Sequence, residues 1–241
     1  MTEICSKLAF ALDYPTLAEA KRGAELVAPS AGVLKVGLEL FVAEGPACAR
    51  VASDLDRRLF LDLKLHDIPE TVERAVASAC ALGASFLTLH ASGGPKMLER
   101  AASRAAREGG SLTLLAVTVL TSMDGADLQA IGVADTASAQ VLRLAKLAFS
   151  AGVRGFVCSV AEAQTLRSEL ETEAVIVTPG IRPAGAAAGD QKRVATPADA
   201  LRSGASLLVV GRPIRDAADP RSAAAAVAAE IREAERAATA G

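Results

Sequence analysis

Short apolar runs alternate with helical segments along the whole chain. Eight runs rich in Leu, Val, Ala and Phe are each followed by turn residues or charges, a pattern typical of buried strands. The predicted strands span Lys7–Leu12, Val33–Val36, 59–66, Ser85–His90, Ser111–Leu120, Val153–Cys158, Ala174–Thr178 and Ala205–Val210.

Amphipathic segments punctuated by Pro and Gly lie between these runs. The clearest is residues 137–150, where Val141, Leu144, Leu147 and Ala148 share one helical face. The predicted helices span Thr16–Ala28, 38–53 with an interruption at Gly45-Pro46, Pro69–Leu82, Pro95–Arg107, Ala137–Ser150, Ala161–Leu170, 196–203 and Pro220–Ala238. Residues 124–135 are polar, and we expect them to be irregular.

Strands that alternate with helices predict an α/β fold with a parallel sheet. The 241 residues match the usual size of one (β/α)8 TIM barrel, so we expect a single barrel domain over residues 1–241. A doubly wound open sheet is the alternative. It is disfavoured because no Gly-x-Gly-x-x-Gly follows the first strand.

The third strand departs from the apolar pattern. Its residues alternate, so that Asp62, Lys64 and His66 fall on one face and leucines on the other, and Asp67 follows at the strand's end. In barrels this end of a strand faces the active site. The alternative is a structural salt bridge, although a buried ion pair is weak evidence for stability because its desolvation can exceed the Coulomb gain.

Polar residues also end most of the other strands, and together they predict a catalytic mouth. The candidates are Asp13, Lys35, Asp62, Lys64, Asp67, His90, Thr121, Ser122, Arg182, Gln191, Gly211 and Arg212. Among the alternating charges of Lys35, Asp62, Lys64 and Asp67, each group keeps its neighbour ionised. A substrate carboxylate beside Asp62 would be repelled, and Lys64 could protonate the carbon that CO2 leaves. For His66 and His90, structural and functional roles both stay open.

The loops after the last two strands predict a phosphate site. Arg182 and Arg212 supply guanidinium forks, and Gly211 lets backbone N–H groups approach an anion. The loop 179–193 is long for a barrel connection, which is typical of a lid. A surface arginine beside a turn glycine is the alternative.

Composition excludes several other classes of function. The net charge of −2 and the 3% aromatic content, with no Trp, argue against nucleic acid and anionic membranes as partners. Two histidines and four cysteines without metal-ligand spacing predict no metal site and no cofactor. Scattered cysteines and the lack of a signal or spanning segment favour a cytoplasmic protein.

Eight short segments in chain order complete the pattern. They are Leu12-Asp13, Lys35-Val36-Gly37, 62–69 (Asp-Leu-Lys-Leu-His-Asp-Ile-Pro), 89–94, Leu120-Thr121-Ser122, 178–182 (Thr-Pro-Gly-Ile-Arg), 189–193 and 210–213. On these segments the chain resembles the orotidine 5'-phosphate decarboxylase family almost end to end. The Asp-x-Lys-x-x-Asp run alone is shared by a wider suprafamily of phosphate-binding barrels.

The resemblance implies conversion of orotidine 5'-phosphate to UMP and CO2, the last step of de novo UMP synthesis. It implies no metal or cofactor, and a homodimer with shared active sites. Lys64 would protonate C6 of the pyrimidine, Asp62 would press on the departing carboxylate, and Lys35 would contact the ribose. The remaining implied roles are ribose binding by Asp13, reach into the partner's site by Asp67 and Thr71, pyrimidine binding by Thr121 and Ser122, and phosphate binding by Arg182, Gln191, Gly211 and Arg212 under the loop 179–193.

Two other functions compete with this one. A Mg2+-dependent 3-keto-gulonate 6-phosphate decarboxylase or hexulose-phosphate synthase of the same suprafamily would carry a carboxylate in place of Lys35. A non-catalytic nucleotide-binding barrel would keep the two arginines but lose Asp62 or Lys64. The sequence retains all of these residues.

Overall fold

The computed structural model describes residues 5–109, 111–170, 174–183 and 195–239. Its eight strands are parallel and hydrogen-bonded in sequence order, and β1 also pairs with β8, so the sheet closes into a barrel. This confirms the predicted (β/α)8 barrel over the open sheet. The strands are Cys5–Ala11 (β1), Ala31–Gly37 (β2), Arg58–Leu65 (β3), Ala84–His90 (β4), Thr113–Val117 (β5), Gly155–Val157 (β6), Val175–Thr178 (β7) and Leu207–Val210 (β8).

Helices follow the strands and pack around the barrel. They are Leu17–Val27 (α1), Leu38–Glu44 (α2), Arg50–Ser53 (α3), Pro69–Ala81 (α4), Pro95–Arg107 (α5), Gly125–Ala130 (α6), Ala137–Ser150 (α7), Val160–Glu169 (α8), Pro197–Arg202 (α9), Arg212–Arg215 (α10) and Pro220–Thr239 (α11). A 3-10 turn at Gly45–Ala49 separates α2 from α3, as the Gly-Pro pair predicts. Within the described residues, no helix has the length and apolarity needed to cross a bilayer.

The expectation of irregular structure over residues 124–135 is wrong for residues 125–130. The region contains α6, which begins with a capping box in which Asp124 accepts the Asp127 N–H and the Asp127 carboxylate accepts the Asp124 N–H. Leu128 then buries its side chain in the core. Reciprocal capping and one buried apolar side chain are sufficient to stabilise this short helix. They produce no apolar periodicity in the sequence.

The core has two layers, one on each side of the barrel wall. Inward-pointing side chains fill the barrel with Ala9, Val33, Phe60, Phe86, Leu115, Val177 and Leu207. Phe60 and Phe86 meet edge to face, with ring centroids 5.9 Å apart. A larger cluster, which includes Phe10 and Phe156, joins the outer face of the strands to the helices. Apolar side chains therefore fill the interior beneath the mouth at the C-terminal strand ends.

Truncation of Phe156 tests the outer layer, because this side chain is fully buried on β6. We expect Phe156→Ala to lower the free energy of unfolding by about 3–5 kcal/mol, through lost apolar burial and the cavity left behind. Urea denaturation at a fixed protein concentration measures the change. Ile131→Ala is the control, since Ile131 is 66% exposed, and should change the value by less than about 0.5 kcal/mol. Equal effects of the two variants would contradict this description of the core.

Candidate active site

A cavity of about 250 Å³ opens at the C-terminal ends of the strands. Its wall combines charged and polar groups with apolar side chains from the barrel interior. The predicted site residues that line it are Asp13, Lys35, Asp62, Lys64, Thr121, Arg182, Gly211 and Arg212. The apolar part of the wall comes from Phe60, Val117, Val119, Leu120, Val157, Val177 and Val209. Charged and apolar groups therefore line one small space together.

Four charged groups from three strands form a continuous array on one side of this cavity. The Lys35 ammonium lies 3.3 Å from Asp13 Oδ1 and 3.3 Å from Asp62 Oδ2. Lys64 Nζ lies 2.8 Å from the other oxygen of the same carboxylate, Asp62 Oδ1. Charges alternate in sign from Asp13 through Lys35 and Asp62 to Lys64, so that each cation contacts a carboxylate.

Ion pairing determines the ionisation state of Lys35 and Asp62, the two most buried residues of the array. Burial alone would lower the pKa of Lys35, but the charges of Asp62 and Asp13 outweigh it, so that this pKa is raised. Burial would raise the pKa of Asp62, but Lys35 and Lys64, helped by the Thr88 hydroxyl, hold that pKa below its ordinary value. Both groups are therefore charged at neutral pH despite their burial.

The backbone of β3 is not the regular strand that the alternating pattern predicts. Leu61 pairs with Leu87 and Leu65 with Leu89, so residues 62–64 stand opposite a single residue of β4, Thr88. Lys64 adopts φ of 50°, a left-handed conformation that costs a non-glycine residue about 1–3 kcal/mol. This bulge lets Asp62 and Lys64 both reach the cavity and bond each other, which the simple two-residue period does not describe.

Two further residues hold the array, and sequence reasoning missed both. The Thr88 hydroxyl accepts the Lys64 backbone N–H at 2.9 Å and donates to Asp62 Oδ1 at 3.0 Å. Arg215 Nη1 donates to the Asp13 backbone carbonyl at 2.7 Å, and so ties α10 to the end of β1. The available signal for Thr88 was a hydroxyl in the otherwise apolar run Phe86-Leu87-Thr88-Leu89. For Arg215, no sequence signal was visible.

Packing is tight around Gly37, which ends β2. A Cβ there would lie 3.0 Å from Asp13 Oδ1 and 3.1 Å from Lys35 Nζ. A side chain at this position would therefore press on the ion pair between Lys35 and Asp13.

The arginines and glycines after β7 and β8 line the same cavity. Arg182 follows Gly180, and Arg212 follows Gly211 at the start of α10. Among the described residues, the buried Arg182 Nε has no hydrogen-bond partner. A guanidinium with an unused donor is suited to an anion such as phosphate.

Several predicted site residues do not line the cavity. Asp67, Thr71 and Ser122 are exposed, and the Asp67 carboxylate accepts the Ile68 N–H at 2.6 Å. Gln191, with residues 184–193 of the predicted lid, lies outside the described residues. Asp67 and Thr71 are thus available at the surface, where the resemblance predicts a partner subunit.

The two histidines lie next to each other beyond the end of the array. Their ring centroids are 5.4 Å apart, and His66 is exposed while His90 is half-buried. Burial, followed by the nearby His66 and Lys64, lowers the pKa of His90. Neither ring lines the cavity. In the part of the chain that the structure describes, no group of three His, Cys, Asp or Glu side chains could hold a metal ion.

The array makes stability depend on pH in a defined direction. Ionised Asp62 stabilises the fold above the ordinary carboxyl pKa of 3.8, and this contribution is lost as the pH falls through the lowered pKa of the folded state. We therefore expect the difference in unfolding free energy between the native chain and Asp62→Asn to be larger at pH 6 than at pH 3. Urea denaturation across this range measures it. A difference that stays constant or grows towards pH 3 would show that Asp62 is not held ionised.

Comparison with known proteins agrees with this geometry. The model of a family described as "Orotidine 5'-phosphate decarboxylase / HUMPS family" matches residues 6–227. The orotidine 5'-phosphate decarboxylase of Anaeromyxobacter sp. (strain K) is 56% identical over 225 residues, which cover 93% of this chain and 98% of that protein. The enzyme of the same name from Thermobifida fusca (strain YX) is 52% identical over 231 residues, covering 95% and 97%.

A solved structure shows the same architecture. The crystal structure of orotidine 5'-phosphate decarboxylase from Lactobacillus acidophilus superposes with a TM-score of 0.81 at 34% identity. The superposition covers 94% of this chain and 99% of that one. The likeness therefore extends over nearly the whole chain.

Proposed function

We infer the function of this chain from its family, because it belongs to the orotidine 5'-phosphate decarboxylase / HUMPS family. It is a carboxy-lyase that converts orotidine 5'-phosphate to UMP and CO2 in pyrimidine biosynthesis, the reaction named for relatives that match it over more than nine-tenths of its length. The family name covers a second group of enzymes, so the site has to distinguish between them.

The Lys35–Asp62–Lys64 array is the observation that distinguishes between the two groups of enzymes. A site that holds Mg2+ for sugar-phosphate chemistry needs carboxylate oxygens around the ion. Here the centre of the array is the Lys35 ammonium, buried between Asp13 and Asp62. A fixed cation at that position opposes a divalent metal, whereas it supports a reaction that needs a fixed carboxylate and a proton donor.

The geometry suggests how the bond breaks. The phosphate binds Arg182 and Arg212, and the substrate carboxylate points towards Asp62 and the apolar wall. As the C6–carboxylate bond breaks, its electron pair stays on C6 and CO2 leaves as a neutral molecule. The Lys64 ammonium, 2.8 Å from Asp62, stabilises the developing negative charge and transfers a proton to C6. Solvent then returns a proton to the Lys64 amine.

Binding energy from the phosphate contributes to this step. Enzymes lower barriers by roughly 8–23 kcal/mol, and the phosphate lies far from the carbon that reacts. Its contacts with the two arginines hold the pyrimidine against the charged array, so that they accelerate a reaction in which they take no chemical part.

The assembly and location follow the same family reasoning. We propose that residues 1–241 form one domain, and that the chain works as a homodimer in the cytoplasm. In this dimer the exposed Asp67 and Thr71 reach the ribose in the partner's site, and Gln191 adds a phosphate contact. Support for the shared site comes from the position of these two residues. Asp67 precedes α4 and Thr71 lies in its first turn, and both are outside their own cavity.

Removal of the proton donor tests the mechanism. We expect Lys64→Ala to lower kcat at least about 100-fold, because a positioned proton donor contributes about 100- to 10,000-fold. The dissociation constant for UMP should rise less than about tenfold, because the phosphate contacts remain. The ultraviolet absorbance of orotidine 5'-phosphate and calorimetry with UMP measure the two quantities. Lys146→Ala is the control, since Lys146 pairs with Glu169 on the outer surface. Near-normal kcat in Lys64→Ala would exclude Lys64 as the donor.

The phosphate site is tested by comparing a nucleotide with its nucleoside. We expect Arg212→Ala to weaken UMP binding by about 1.5–3 kcal/mol, the usual value for a hydrogen bond to a charged group. Uridine binding should stay the same, because uridine has no phosphate. Competitive inhibition by each compound gives both affinities. Equal losses for UMP and uridine would place Arg212 outside the phosphate site.

A further inference from the structure

Thr88 is a buried polar residue beside the charged array, and the catalytic steps described above do not include it. It lies on β4 and is 1% exposed. It does not line the cavity, so it is separated from a bound substrate. Its hydroxyl nevertheless contacts two of the four charged residues, through the Lys64 backbone N–H and the Asp62 carboxylate.

The hydrogen bonds of Thr88 close a ring around the proton donor. The Lys64 N–H donates to Thr88 Oγ1 at 2.9 Å, the hydroxyl donates to Asp62 Oδ1 at 3.0 Å, and Lys64 Nζ donates to the same oxygen at 2.8 Å. Both ends of Lys64 are therefore tied to one carboxylate oxygen. The backbone end is tied through Thr88 and the ammonium end directly.

The donors and acceptors of these hydrogen bonds fix the orientation of the Thr88 hydroxyl. A backbone N–H can only donate, so the hydroxyl oxygen is the acceptor and its own proton must go elsewhere. An ionised carboxylate can only accept, so that proton points to Asp62. The ring requires a group that accepts and donates at one atom, which Thr and Ser provide and Val does not.

The bulge explains why such a group is needed at this position. Residues 62–64 have only Thr88 opposite them on β4, so the regular strand ladder is interrupted. Lys64 has the left-handed φ of 50° at the same point. The Thr88 side chain takes the place of a backbone acceptor for the Lys64 N–H and thereby stabilises an unfavourable backbone conformation.

We propose that Thr88 is a positioning residue for the decarboxylation, and that its hydroxyl holds the Lys64 backbone and the Asp62 carboxylate in the geometry that proton transfer to C6 requires. The proposal rests on the proposed function for its chemistry. Its structural part, the tie between Thr88 and the Lys64 backbone, stands independently and can be measured separately.

The kinetic test compares three variants. Thr88→Val keeps the shape and removes the hydroxyl, Thr88→Ser keeps the hydroxyl, and Thr118→Val removes a buried threonine bond to the Val157 carbonyl outside the array. We expect kcat to fall about 10- to 100-fold in Thr88→Val, since a misplaced reacting group costs up to about 100-fold. The kcat values of Thr88→Ser and Thr118→Val should stay within about threefold of the native chain.

The dissociation constant for UMP should change less than about threefold in all variants, because UMP has no carboxylate for Asp62 to oppose.

A second measurement monitors the Lys64 backbone independently of enzyme activity. Hydrogen exchange of the Lys64 amide, followed by NMR in the chain without ligand, should be at least about tenfold faster in Thr88→Val than in the native chain. It should return to the native rate in Thr88→Ser. Thr118→Val should leave this amide unchanged.

Each outcome decides a different claim. A native chain that does not convert orotidine 5'-phosphate overturns the proposed function, and the exchange rate then decides alone whether Thr88 holds Lys64. An active native chain with native kcat in Thr88→Val overturns the positioning role and leaves the function intact. Equal losses of kcat in Thr88→Val and Thr88→Ser would assign the effect to packing and would overturn the proposal. An unchanged exchange rate of the Lys64 amide in Thr88→Val would also overturn it.

Discussion

The site depends on the burial of one ammonium group between two carboxylates. Lys35 is 7% exposed, and an unpaired charge at that depth would be strongly destabilising. Asp13 and Asp62 offset this cost and keep the lysine protonated. In return Lys35 helps to keep Asp62 ionised, and ionised Asp62 holds the Lys64 ammonium. Loss of any one charge would therefore alter the protonation or position of the others.

Closure of the barrel makes this array possible. Residues from β1, β2 and β3 meet because parallel strands in sequence order bring their C-terminal ends to one mouth. The packed side chains inside the barrel, such as Phe60, form the floor of the cavity. An apolar floor strengthens the electrostatic interactions above it and gives a departing CO2 a surface that does not compete for hydrogen bonds. The fold thus supplies both the charges and the environment in which they act.

Much of this arrangement could be predicted from the sequence, because it depends on local patterns. Short apolar runs and Gly or Pro punctuation located every strand, and Asp13, Lys35, Asp62 and Lys64 stood out as charges at strand ends. The bulge at Lys64 and the partners of the Thr88 hydroxyl could not be predicted, since they depend on which residue of β4 stands opposite which residue of β3. Helix α6 was missed for a different reason, because side-chain capping rather than apolar periodicity stabilises it.

We propose that the charged array decarboxylates orotidine 5'-phosphate without a metal ion. The most direct test treats the purified chain with EDTA, adds orotidine 5'-phosphate and follows its ultraviolet absorbance. Rapid and complete conversion to UMP, unaffected by later addition of Mg2+, is the predicted result. No conversion by the folded chain, together with Mg2+-dependent turnover of a sugar phosphate, would contradict the claim and assign the array to the other group of enzymes in the family.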